Sequence, residues 1–209
     1  MSSSPPTKYA VALFDGFQSL DVFGPIDALN YLSKTTALEL SILGPTLEPV
    51  STLHKPTPGR IGQKVVPTHT YADAPEGIEV LLVPGGQGTR DAAHTQVVVD
   101  FIKDRYPKLR YLLTVCTGSA LAARAAVLDG REATSNKLSF GWVRCLTLTY
   151  LGIHGAGKKR TGELTSETTG RKPWQQRQVA QRGTLDDGWQ CVDVFGHLSR
   201  DRHDLRLHR

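Results

Sequence analysis

Between residues 8 and 145, short apolar runs alternate with segments of helical spacing, and this alternation limits the fold more than any other feature. Residues 9–14 (YAVALF), 38–43 (LELSIL), 80–83 (VLLV) and 111–115 (YLLTV) read as strands. VLLV is apolar throughout, as strands buried on both faces are. Residues 21–31 place Val22, Ile26 and Leu29 at helical spacing, and Pro25 suits the first turn of a helix starting near Gly24. Residues 95–106 set Val98, Phe101 and Ile102 at the same spacing. Residues 119–128 form an Ala/Leu-rich helix ended by Asp129-Gly130, and 137–145 read as a further helix. The Pro/Gly-rich stretch 44–62 reads as an irregular excursion or hairpin, and 64–67 as a short extra strand. The pattern predicts an α/β fold with a mostly parallel sheet and helices on both faces. A length of 209 residues suits one such domain and is short for two.

Composition excludes several classes. Hydrophobic residues make up 39% and charged residues 22%, ordinary for a globular domain, and no apolar run reaches spanning length. The opening MSSSPPTKYA has no apolar core of the signal-peptide type. Cys116, Cys145 and Cys191 are too few and too scattered for a disulfide framework or a zinc cluster, so no metal is expected. A reducing, cytoplasmic setting fits. The net charge of +5 raises the question of nucleic acid. Residues 151–209 hold 11 basic and 7 acidic residues, so the basicity belongs to that stretch and lies on no periodic helix face. No nucleic-acid or membrane partner is expected.

Three segments could carry chemistry. In residues 112–120, LLTVCTGSA, an apolar strand runs straight into Cys116 and then into a helix. A nucleophile on such a turn sits at the carboxyl end of a parallel strand, where open α/β folds place their sites. The helix start behind it favours thiolate. A buried structural cysteine fits the same local pattern. In VPGGQG, Gly85 and Gly86 follow a buried strand and let the backbone approach an anion, although a plain turn would look alike. Asp21, in FQSLDVFGP, is an acid among apolar residues; it suits a general acid or, equally, a helix N-terminal Asp.

ALFDGFQSLDVFGPIDAL, LLVPGGQGT and VCTGSALAARAAVLDGREAT, in this order, resemble the ThiJ/PfpI superfamily over about residues 8–143. The Q-x-L-D and V-C-T-G-S forms are most similar to its isocyanide (isonitrile) hydratase branch. The resemblance implies a flavodoxin-like, glutamine amidotransferase-like sandwich, usually a homodimer. It implies Cys116 as nucleophile, Asp21 as the acid bonded to it or to a catalytic water, and the N–H groups of Gly86 and Thr117, beside Gly85, as an anion pocket. The implied reaction, that of a lyase, adds water to a small isonitrile and gives an N-substituted formamide, with no cofactor. Many relatives carry a His soon after an Ala-Thr pair; here the text is Ala133-Thr134-Ser135-Asn136-Lys137, and a Cys-His dyad is not expected.

Residues 151–209 depart from the pattern and read as an atypical, disordered tail, with the closing strand and helix of the family missing. The stretch 188–209, GWQCVDVFGHLSRDRHDLRLHR, admits a back-translation whose codons, read one base on, spell DGNVWTSSGISAGIDMTFAFI, a family-like ending. The domain therefore reads as residues 8–145, followed by a frameshift, a retained intron or a wrong gene model within about 145–175. His154, His197, His203, His208 and Cys191 are then accidental and set aside as ligands. Sequencing the transcript across residues 140–209 decides this, and an in-frame cDNA matching the tail refutes it. Two further readings stand beside the hydratase: a redox-sensing or ligand-binding module of the same superfamily, and an inactive truncated product.

Overall fold

The structure is a computed structural model that describes residues 4–56, 58–129, 131, 133–150 and 191–193. Its main strands are β1 (Lys8–Ala12), β2 (Glu39–Gly44), β5 (His69–Thr70), β6 (Val80–Val83), β7 (Tyr111–Thr114) and β8 (Cys191–Asp193). They form one sheet in the order β5-β2-β1-β6-β7-β8, with every pairing parallel. Helices α1 (Ser19–Leu32), α2 (Gln96–Arg105), α3 (Gly118–Arg124) and α4 (Phe140–Tyr150) flank it. This is the flavodoxin-like α/β architecture that the alternating pattern implies.

Burial follows the sequence pattern. Val80, Leu81, Leu82 and Val83 are all buried, so β6 is covered on both faces. From α2, Val98, Val99, Phe101 and Ile102 enter the core, and from α1, Val22 and Ile26. Each such side chain contributes on the order of 2 kcal/mol by leaving water.

One element differs from expectation. Helix α1 begins at Ser19, well before Gly24, and carries Pro25 inside it. Tertiary bonds fix that start: Gln18 N–H donates to the Gly85 carbonyl, and Phe17 bridges Gly86. The excursion after β2 is a hairpin whose arms, β3 (Val50–Ser51) and β4 (Lys64–Val65), pair antiparallel. A short further strand, β8, lies parallel to β7 with Cys191 opposite Leu112. The free edge of β7 supplies unpaired N–H and C=O groups for it to join. The closing helix and most of the tail lie outside the described residues. Among the described residues no helix is long and apolar enough to cross a membrane.

Candidate active site

The chain leaves β1 to one side for β2 and returns to the other side for β6. The crevice at such a reversal, outside the carboxyl ends of the strands, is where open α/β sheets bind ligands. The three predicted segments converge there. Asp21 follows β1, in the first turn of α1. Gly85 and Gly86 follow β6, and Cys116 follows β7.

Gly85 joins the parts. Its N–H donates to Asp21 Oδ2 at 3.0 Å, and its carbonyl accepts from Gln18 N–H at 2.8 Å. A Cβ built on Gly85 would stand 2.8 Å from Cys116 Cβ and 2.6 Å from Thr117 N, so only glycine lets the β6 loop lie this close to the elbow. Asp21, at 7% exposure, thus has its carboxylate on a main-chain donor that touches the cysteine on its other side. Gly86 is fixed just as tightly. Its φ is +133°, and a Cβ there would lie 2.2 Å from the Gly16 carbonyl oxygen.

Cys116 has φ +56°, in the left-handed region, at a position with a side chain. Such a conformation costs on the order of 1–2 kcal/mol and persists only where the surroundings impose it. Val115 N–H donates to the Val83 carbonyl, and Gly118 N–H turns back to the Val115 carbonyl at 2.8 Å. The chain thus reverses within two residues. Cys116 itself is partly exposed, whereas Val115 on its one side is sealed and Thr117 on the other is nearly so. The local pattern left open whether this cysteine is structural or reactive; the structure places it in a strained turn with its side chain partly exposed.

The N–H groups assigned to an anion pocket differ in state. Gly86 N–H donates to Thr117 Oγ1 at 3.0 Å rather than facing open space. Thr89 Oγ1 lies 3.1 Å from the same hydroxyl and donates to the Gly86 carbonyl at 2.7 Å. Thr117 N–H has no acceptor among the described residues. Of the two N–H groups, Thr117 N–H is therefore the one without an acceptor among the described residues, and Gly86 N–H is engaged.

Sequence reasoning missed the hydroxyls of Thr89, Ser119 and Ser135, which brace the elbow from within. Serine and threonine carry no periodic signal; the places of Thr89 after VPGGQG and of Ser119 in VCTGS mark those two, and nothing local marks Ser135. Ser135 occupies the segment where the resemblance leads one to look for a histidine. On the far flank of the β6 loop, His54 Nε2 is 3.3 Å from Asp91 Oδ2, and His94 Nε2 is 3.8 Å from Asp15 Oδ2. The His94 N–H and the nearby histidines and Lys55 hold the Asp91 carboxyl below its ordinary range, against a smaller opposing effect of burial. Among the described residues no group of three or more His, Cys, Asp or Glu stands where it could hold a metal ion.

Fold and site together define a class: a flavodoxin-like domain with a cysteine on a strand-to-helix elbow. The family model of the DJ-1/PfpI family matches residues 7–151. The chain belongs to that family. It is similar to the isonitrile hydratase of Pseudomonas putida, at 32% identity over 124 residues, 59% of this chain and 50% of the hydratase. An uncharacterized protein in the cpoL 5'region of Streptomyces lividans is 30% identical over 63% of this chain and 88% of its own length. Among solved structures, a ThiJ/PfpI family protein from Pseudomonas syringae superposes with a TM-score of 0.58 at 27% identity, over 68% of this chain and 55% of that one. The chain spans about half the length of the hydratase and of that structure.

Proposed function

We propose that the domain is a cysteine-dependent lyase that hydrates a small isonitrile. The observation that carries this reading is Cys116 at φ +56° on the carboxyl end of β7, with Gly85 between it and the Asp21 carboxylate. Similarity to an isonitrile hydratase supports the choice of substrate class. The Cys116 thiolate adds to the terminal carbon of R–N≡C, and that carbon takes a proton, giving the thioimidate R–N=CH–S. Asp21 carries the proton and then orients the water that adds to the same carbon. The water's hydroxyl bonds to carbon and one of its protons goes to nitrogen; the C–S bond then breaks, the hydroxyl proton returns to Asp21, R–NH–CHO leaves, and the thiolate is restored. One water is consumed and nothing else. Negative charge gathered during addition and release lies within reach of main-chain donors at the elbow, Thr117 N–H first.

The experiment is formamide production from a simple aliphatic isonitrile by the full chain. Cys116→Ala abolishes turnover on this reading; a Cys116→Ala protein as active as the wild type rejects it. The reading includes a second copy of the chain as partner, supported by the outward-facing Leu20, Phe23, Tyr31 and Leu32 of α1. Sedimentation of the full chain as a monomer at micromolar concentration would count against that part. A reducing, cytoplasmic compartment suits a free thiol used this way.

A further inference from the structure

The carbonyl of Cys116 collects donors from the first turn of α3 and from the segment that follows that helix. Ser119 Oγ lies 3.2 Å from it, Ser135 Oγ 3.4 Å, and the Asn136 N–H donates to it at 3.4 Å. The two hydroxyls are 2.8 Å apart. Each carries one proton, so they act as a relay: one donates to the other, and the second donates to the carbonyl. Both are sealed from water, at 1% exposure for Ser119 and 5% for Ser135.

This carbonyl and the Thr117 N–H are the two ends of one amide. Bonds accepted at the oxygen draw charge from the nitrogen and make its N–H a stronger donor. The Thr117 N–H has no acceptor among the described residues, and the Gly85 backbone packs beside it, where a Cβ would stand 2.6 Å from the nitrogen. The hydroxyl relay therefore reaches the amide at its oxygen, from the buried side.

We propose that Ser119 and Ser135 are positioning residues. They act through the Cys116–Thr117 amide, strengthening the Thr117 N–H toward negative charge formed at the elbow and holding Cys116 in its left-handed turn. The proposal rests on the reading of Cys116 as the reacting thiol.

The test uses the full chain and three readouts: the pH profile of Cys116 alkylation by iodoacetamide, resolved by peptide mass spectrometry; formamide kinetics; and the thermal midpoint. Ser135→Ala slows Cys116 alkylation near neutral pH and lowers kcat, each by about tenfold, with KM little changed. Ser135→Thr keeps the hydroxyl and restores both, and Ser119→Ala falls between. A purely structural pair would lower the thermal midpoint and leave the alkylation profile and kcat where they were; that result in both alanine variants overturns the proposal. The two readings separate cleanly. If the wild type makes no formamide while Ser135→Ala still shifts the alkylation profile, the hydratase reading fails and the relay stands. If the wild type turns over and both alanine variants keep its kcat and profile, the relay fails and the hydratase reading stands.

Discussion

The same three strands, β1, β6 and β7, are fastened at both ends, by opposite means. At their amino ends the clasp is ionic. Glu79 accepts from Thr7 N–H at 2.7 Å and Lys8 N–H at 3.1 Å, and pairs with Arg110 at 2.7 Å. Arg110 reaches on to the Ser4 carbonyl at 2.6 Å. At their carboxyl ends the ties are main-chain amides and hydroxyls, with Asp21 the carboxylate among them. A charged clasp costs little where its groups keep contact with water, and it stabilises without shaping a cleft. At the carboxyl ends the Asp21 carboxylate is held by a main-chain donor, and donors aimed by rigid backbone keep their geometry as pH changes. On the proposed reading, the two ends divide the work between stability and chemistry.

The largest expected effect breaks the carboxyl-end clasp. Gly86→Ala places a Cβ 2.2 Å from the Gly16 carbonyl oxygen and 2.6 Å from Gln18 N, at a φ of +133°. Neither obstacle is a flexible side chain, so the β6 loop must move. The expected loss is about 3 kcal/mol or more in urea unfolding, with turnover lost as well. A variant within about 1 kcal/mol of the wild type would show that the loop is adaptable and the contrast between the ends is false.

Breaking the amino-end clasp costs less and leaves chemistry alone. Three donors, the Thr7 N–H first and then the Arg110 guanidinium and Lys8 N–H, outweigh burial and lower the Glu79 carboxyl from 4.5 to about 2. A depressed acid stabilises the fold above its unfolded pKa, so this contribution is present above about 4.5 and lost as pH falls toward 2. Glu79→Gln removes the charge and keeps one acceptor. Stability at pH 7 drops by about 1 kcal/mol, while kcat for formamide formation is unchanged. Below pH 4 the gap between wild type and variant closes. A gap that widened on acidification, or a kcat that fell with stability, would end the division of labour between the two ends.

Much of this arrangement was legible from residue patterns. VLLV marked β6 at its true limits, Val80–Val83, because a strand buried on both faces has no alternative composition. Gly85-Gly86 and Cys116 were legible because each follows such a strand directly. The start of α1 was not: Pro25 signals a first turn locally, but the bonds of Phe17 and Gln18 to the β6 loop set the helix five residues earlier. The β5 strand is two residues long and joins the sheet through β2 alone, which no period reveals. The destination of Gly86 N–H was equally hidden, since it depends on a Thr117 rotamer.

The smallest effect sharpens the comparison at the carboxyl end itself, where ionic contacts do occur. His54–Asp91 and His94–Asp15 are partly exposed, and the His54 and His94 rings meet edge to face with centroids 5.8 Å apart. They tie the hairpin excursion to the turns after β1 and β6 rather than fastening the strand ends. If the neutral clasp carries that end, they contribute little. His54→Ala then changes stability by less than about 1 kcal/mol at pH 7 and leaves the Cys116 alkylation profile where it is. Removing His54 takes away one of the groups that lower the Asp91 carboxyl, but the larger contribution, the His94 N–H, remains. Asp91 should therefore rise only part of the way back toward 3.8 in an NMR titration of its carboxyl carbon. A full return, or a displaced alkylation profile, would mean that this ionic pair reaches the elbow and that the carboxyl end is not held by neutral contacts alone.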